Sequence, residues 1–287
     1  MHSNNNTLDK RLSPQAAKLI TTLYGRHRPV FTLTEASEIV GSVEAARQIV
    51  FKLVQRGILT RLKPGLFQLV PFELGSEREY LGNPYVIARE LAQFHRKKAR
   101  ARIKENYYLS HGSAMEIHQM TTQPLFIVYV TTPRLMRPAK ILGTEFRFVR
   151  CKPSDLFGIT DKWVEKTEKV QVSDLEKTII DGLRQPKYCG GLSEVAKGLW
   201  IKRDEIEPKK LVAYALKLKI GTVIRRLGYL VELFEINASK EIDLLRKQLT
   251  ASYQLLDPEL KPSGKFLARW RLRLNVPKEE LLAIGKT

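Results

Sequence analysis

Ser42-Val43-Glu44-Ala45-Ala46-Arg47-Gln48-Ile49-Val50-Phe51-Lys52-Leu53-Val54-Gln55-Arg56-Gly57 decides how the first part of this chain is read. Apolar Ala46, Ile49, Val50 and Leu53 recur at spacings of three and four, so they share one side of a helix running from Val43 to Arg56. Ser42 suits the N-cap, where its hydroxyl satisfies a backbone N–H, and Gly57 ends the helix. The opposite side carries Glu44, Ala45, Arg47, Gln48 and Lys52.

Working outward, Ser13-Pro14 open a first helix through Ala17, Ile20, Leu23 and Tyr24, stopped by Gly25 and a basic turn, Arg26-His27-Arg28-Pro29. Val30, Phe31 and Leu33 make a short extended piece. Thr34 then caps a short second helix, Glu35 to Val40, which ends at Gly41. Two helices joined by a tight turn, the second amphipathic, make a helix-turn-helix. Beyond it, Ile58 to Leu62 and Leu66 to Val70 read as short strands around Lys63-Pro64-Gly65, a hairpin with a basic tip. Residues 1–75 are therefore expected to form a winged helix-turn-helix.

Such a helix fits the DNA major groove, and its exposed side chains reach base edges. Arg47 suits guanine, Gln48 adenine, and Glu44 the amine of cytosine; Ser42, Lys52, Arg61 and Lys63 suit phosphates. Thr34 and Ala45 complete the expected DNA-binding set. The same fold also serves as a protein-docking module. A net charge of +19 over 287 residues and a pI near 9.9 favour nucleic acid as the partner. The basic excess runs along the whole chain, although basic surfaces also keep proteins soluble.

Pro71 to Gly82 reads as a polar linker, and residues 83–287 as a larger α+β domain with a mixed or antiparallel sheet. Asn83-Pro84 open a helix to Phe94, followed by a basic run that includes Arg96, Lys97, Lys98 and Arg100. That run is either a solvated segment or a second nucleic-acid contact. The sheet-rich part, 105–173, contains Leu125 to Thr132 as a central strand and Glu145 to Arg150, which alternates strictly. Leu156 to Ile159 and Val170 to Val172 add strands. Ser173-Asp174 begin a helix, Leu175 to Leu183, and the helix-rich part extends to residue 250. A late strand, 268–274, places Trp270, Leu272 and Leu274 on one face and Arg269, Arg271 and Arg273 on the other. That basic face is a charge-protected edge or a further nucleic-acid contact.

Chemistry is sparse. The chain lacks phosphate-loop, dinucleotide-binding, zinc-protease and serine-hydrolase motifs. Its five histidines are scattered; His111 and His118 lie too far apart along a helix to clamp one ion. Ser110 and His111 are neighbours that are not expected to point together. Asp155, Asp161, Asp174, Glu176 and Asp181 are the carboxylates a Mg²⁺-dependent nuclease would use, but Asp174 serves equally as a cap and Asp181 as an exposed charge. No enzyme activity, cofactor or metal is expected. Two distant cysteines, Cys151 and Cys189, exclude a disulfide framework, and no apolar leader or membrane-length apolar segment is present, so a cytoplasmic setting is expected.

Several stretches resemble the antitoxins of AbiE-type abortive-infection systems, the type IV toxin–antitoxin class. They are Gly57-Ile58-Leu59 through Gly65-Leu66-Phe67-Gln68-Leu69; Tyr107-Tyr108-Leu109-Ser110-His111-Gly112-Ser113-Ala114 with His118; Val172 through Leu183 with Pro186 and Gly190-Gly191; and Arg225-Arg226-Leu227-Gly228-Tyr229-Leu230. The resemblance implies a winged helix that represses its own operon at promoter inverted repeats, with two copies on DNA, and a non-enzymatic C-terminal antitoxin domain. Its functional partner would be a nucleotidyltransferase-like toxin that forms no stable complex with it. The alternatives are a stand-alone winged-helix transcription factor with a C-terminal sensor domain, and a nuclease targeted by the winged helix.

Overall fold

The computed structural model describes residues 12–74, 79–94, 107–121 and 126–283. The chain is α+β and divides into two compact units, Met1–Asn83 and Pro84–Thr287.

The first unit runs α1 (Pro14–Gly25), β1 (Val30–Thr32), α2 (Leu33–Val40), α3 (Val43–Gln55), β2 (Leu59–Lys63) and β3 (Leu66–Leu69). Ser13 caps α1, its hydroxyl accepting from the Ala16 N–H at 3.2 Å. The second helix begins earlier than its sequence suggests. Thr32, not Thr34, is the cap: its hydroxyl accepts from Glu35 N, while the Glu35 carboxylate accepts from Thr32 N at 2.8 Å. This reciprocal pair satisfies two backbone donors at once, which a cap at Thr34 would forgo, so Thr34 and Leu33 are helical. Gly41 closes α2 in the left-handed region (φ 90°), a conformation open to glycine without steric cost, and the chain turns directly into α3.

The three strands form an antiparallel sheet in the order β1-β3-β2, with Phe31 opposite Phe67 and Thr60 opposite Gln68. Leu19, Ile20 and Leu23 of α1, Ala46, Val50 and Leu53 of α3, and Phe31 of β1 pack into one core. Burying each large apolar side chain contributes roughly 1.5–3 kcal/mol. The α3 periodicity thus fixes which side of that helix stays outside.

The second unit starts with α4 (Pro84–Gln93), β4 (Tyr108–Leu109), α5 (His111–Ile117), β5 (Ile127–Thr132), β6 (Ala139–Ile141), β7 (Thr144–Arg150), β8 (Ile159–Trp163) and β9 (Lys169–Ser173). These strands make a mixed sheet in the order β6-β7-β5-β4-β9-β8. The β5–β7 and β4–β9 pairs are parallel and the other three antiparallel. The strand expected at Leu156 begins only at Ile159, after a short 3-10 turn at Pro153–Asp155.

There follow α6 (Leu175–Arg184), α7 (Leu192–Ile201), α8 (Pro208–Leu218), α9 (Gly221–Leu233) and α10 (Ser239–Arg246). Then come β10 (Gln254–Leu255), β11 (Lys265–Leu267), β12 (Leu272–Leu274) and α11 (Lys278–Ala283). Asp174 caps α6 through the Lys177 N–H, and α6 lies between sheet and helices, buried from Glu176 through Leu183. Asp181 is consequently not the exposed charge its sequence suggests. It is buried and ion-paired with Lys177, whose ammonium also donates to the Tyr108 hydroxyl at 3.1 Å. Burial, first of all, raises the Tyr108 pKa well above its ordinary value, so the phenol keeps its proton and donates to Asp181 at 2.9 Å.

Residues 268–274 do not form one strand. The chain reverses over residues 268–271, with Arg271 at φ 50°, and β11 and β12 are the antiparallel arms of a hairpin with Phe266 opposite Arg273. The alternation in the sequence is real at the level of burial, since Trp270 and Leu272 enter the core. A tight turn can bury alternate side chains without belonging to a ladder, and period alone does not separate the two cases.

Candidate nucleic-acid interface

Burial of Ala46, Ile49, Val50 and Leu53 turns the other side of α3 to solvent, where Glu44, Arg47, Gln48 and Lys52 are all exposed and Ala45 is half-buried. Ser42 caps the helix, its hydroxyl accepting from the Ala45 N–H at 3.3 Å, which leaves its O–H able to donate outward. Arg47 and Glu44 approach to 3.8 Å with both side chains mostly in water. Such a pair is worth about 0–1 kcal/mol and gives way readily to a stronger partner. Phe51 and Gln55 lie on the same exposed side, and Phe51 is 64% exposed. The sequence reading passed over Phe51, although 100° per residue places it between Arg47 and Glu44 on the helix surface.

On the hairpin, Arg61 is exposed and Lys63 partly buried, and the β2–β3 register shifts between them, as at a β-bulge. Thr34 is exposed on the first turn of α2. A groove of about 470 Å³ runs between the start of α1, at Ser13 and Gln15, and the flank of α3 formed by Ala45, Gln48, Lys52 and Arg56. Gln48 and Lys52 thus border a concave surface into which the first turn of α1 also opens.

The basic run with Arg96, Lys97, Lys98 and Arg100 lies outside the described residues. The three late arginines do not act as one face. Arg269 forks onto the Glu232 carboxylate at 2.8 and 2.9 Å, so its charge is already met. Arg271 donates to the Tyr253 hydroxyl at 3.3 Å, and the Arg273 guanidinium sits 5.3 Å from the centre of the Phe266 ring.

Ser110 and His111, not expected to meet, do so: Ser110 Oγ lies 2.9 Å from His111 Nδ1, with His111 at φ 51°. Both are buried, and Thr131 donates to the same Ser110 oxygen at 2.7 Å. Burial lowers the His111 pKa to about 4, so the ring is neutral at pH 7. Of the acidic residues, Asp155 accepts from Arg184 at 3.0 Å, Asp174 caps α6, and Asp174 and Glu176 meet at the Lys210 ammonium at 3.1 and 2.7 Å, Glu176 also accepting from the Glu207 N–H; Asp161 is exposed on β8. Among the described residues no group of three His, Cys, Asp or Glu side chains is placed to hold a metal ion, and no helix is long and apolar enough to cross a membrane.

No protein-family model matches the chain, and no curated protein matches it. Its fold is similar to the crystal structure of the RV2827C protein from Mycobacterium tuberculosis. That likeness has a TM-score of 0.70 and 13% sequence identity, and covers 97% of each chain. At that identity the likeness concerns the fold alone.

Proposed function

We propose that Met1–Asn83 is a winged helix-turn-helix that binds duplex DNA, with α3 in the major groove and the β2–β3 hairpin as the wing. The observation that carries this reading is the outer side of α3, which presents Glu44, Arg47, Gln48, Phe51 and Lys52 to solvent on a helix anchored by its own core side and capped at Ser42. An α-helix fills the major groove, and bidentate Arg and Gln side chains distinguish guanine and adenine there. Lys52, Arg61, Lys63 and the Ser42 hydroxyl supply phosphate contacts. Phe51 supplies an apolar surface for thymine methyl groups. Thr34, exposed on the first turn of α2, completes the proposed DNA-binding set.

For the chain as a whole we propose a self-regulating repressor that binds inverted repeats as two copies and acts as an antitoxin of the AbiE type. That part rests on the ordered sequence stretches and not on geometry. It assigns the second unit no enzyme activity, and makes a nucleotidyltransferase-like toxin its functional counterpart.

Selecting a preferred duplex from a randomised pool with the wild-type protein, then comparing it with a scrambled duplex, tests the DNA reading. Arg47→Ala and Gln48→Ala are expected to lose roughly 1–3 kcal/mol on the selected duplex and little on the scrambled one. Equal losses on both would reduce these residues to phosphate contacts. Absence of any selected duplex would overturn the reading.

A further inference from the structure

The three-stranded sheet β10-β12-β11 turns one side into the core through Leu272, with Leu267 and Leu274 packed beside it. The other side carries an arrangement that packing does not require. Phe266, 62% exposed, stands opposite Arg273, and the Tyr253 ring lies 5.0 Å from the Phe266 ring, edge to face. Arg271 is 5.5 Å from the centre of the Tyr253 ring and Arg273 is 5.3 Å from that of Phe266. Neither guanidinium has a carboxylate partner among the described ion pairs, whereas their neighbour Arg269 is held by Glu232. The Arg273 Nε is buried without a hydrogen-bond partner.

We infer that this sheet face binds a single-stranded nucleic acid. Each feature matches one part of such a ligand. Exposed rings and guanidinium planes stack on unpaired bases, and cations that no carboxylate neutralises meet the phosphates. A duplex hides its base faces in its own stack and would leave Phe266 and Tyr253 without contacts. An acidic peptide would answer the two arginines but offer the rings nothing to stack on. The two rings and two guanidinium planes offer stacking positions for roughly two or three bases, the number that sheet platforms of this kind accommodate. This inference is independent of DNA reading by α3.

The test uses the full-length chain carrying Arg47→Ala and Gln48→Ala, so that duplex binding through α3 is already weakened. Fluorescence anisotropy is read with labelled twelve-residue oligo-uridine, oligo-thymidine and a scrambled DNA duplex. Phe266→Ala should weaken binding of the single strands about ten-fold or more, and Phe266→Trp should preserve it, since every base presents a face to stack on. Arg271→Gln and Arg273→Gln should each reduce the salt slope for the single strands by a little under one. The duplex should respond to neither aromatic change. Uridine and thymidine strands that bind equally mark a ligand recognised by stacking and phosphate alone; tighter uridine binding identifies RNA. Phe266 is exposed, so its replacement leaves the fold intact, which the unchanged circular dichroism of Phe266→Ala would verify. The inference is overturned by unchanged single-strand affinity in Phe266→Ala, by equal losses on duplex and single strand, or by a poly-glutamate peptide that displaces the oligonucleotide at equal concentration.

Discussion

Gly228 sits in the middle of α9, where a glycine costs about 1 kcal/mol relative to alanine. Gly228→Ala would therefore stabilise an isolated helix. In the folded chain the fully buried Trp270 indole packs directly against Gly228. An added Cβ would stand 2.6 Å from Cε3 of that ring, with two further ring carbons nearer still. Carbon atoms in contact prefer about 3.5–4.0 Å, so the ring must retreat by an ångström or more. It is also tethered, because its Nε1 donates to the Glu232 carboxylate at 2.6 Å, one helical turn beyond Gly228. Overpacking costs about 1–3 kcal/mol, and loss of a hydrogen bond to a charged group about 1.5–3 kcal/mol. Set against the gain in helix propensity, the net expectation is a destabilisation of about 1.5–5 kcal/mol. All three tryptophans, Trp163, Trp200 and Trp270, lie in the unit Pro84–Thr287, so urea titration followed by tryptophan fluorescence reports that unit alone. Trp270→Leu combined with Gly228→Ala should cost less than the sum of the two single changes, since the leucine vacates the clash. An unaltered or raised unfolding midpoint for Gly228→Ala would refute the reasoning.

Lys177→Met strands the buried Asp181 carboxylate, and about 3–5 kcal/mol of stability should be lost; Lys177→Met with Asp181→Leu should recover much of it in the same titration. Burial holds His111 neutral, its pKa pushed down to about 4, so as pH falls the unfolded chain takes up a proton first. The His111 contribution to unfolding free energy is therefore steady above about pH 6.5, falls by a few kcal/mol towards pH 4 and levels off below it. His111→Gln should flatten that window in a pH series of thermal melts, and an unchanged slope would exclude His111 as its source. For DNA, Phe51→Ala should weaken binding to the selected duplex by about 1 kcal/mol if the ring covers a thymine methyl group. Replacing that thymine by uracil should cost the wild type a similar amount and the variant nothing; additive losses in titration calorimetry would sink this contact.

Features that depend on a few neighbouring residues were open to sequence reasoning. Ser13 and Ser42 cap the helices expected of them, and the apolar set of α3 is the buried set. Strict alternation in Glu145 to Arg150 marks β7. Where two local solutions competed, the stronger one prevailed: Thr32 stands three residues before Glu35 and so closes a capping box, which Thr34 cannot. The spacing of Lys177 and Asp181 reads on sequence as a surface pair one turn apart, and only the sheet on one side of α6 and the helices on the other make it a buried one. Likewise Arg225 and Arg226 look like surface cations, yet Arg226 donates to the Leu183 carbonyl at 2.6 Å and Arg225 to the Thr250 and Ser252 carbonyls at 3.2 Å, bracing α9 against distant segments.

By itself the sequence determined the helix faces, most of the caps and the basic character of the molecule, because each follows from residues within a turn or two or from composition. Tertiary structure decided the strand order β6-β7-β5-β4-β9-β8, the burial of Asp181 and Lys177, and the folding of residues 265–274 into a hairpin. It also brought Tyr253 and Phe266 together with Arg271 and Arg273 on one open face. These arrangements depend on contacts between residues far apart in the chain, where the competition among alternative burials and pairings is settled by the whole fold at once and leaves no local periodicity to read.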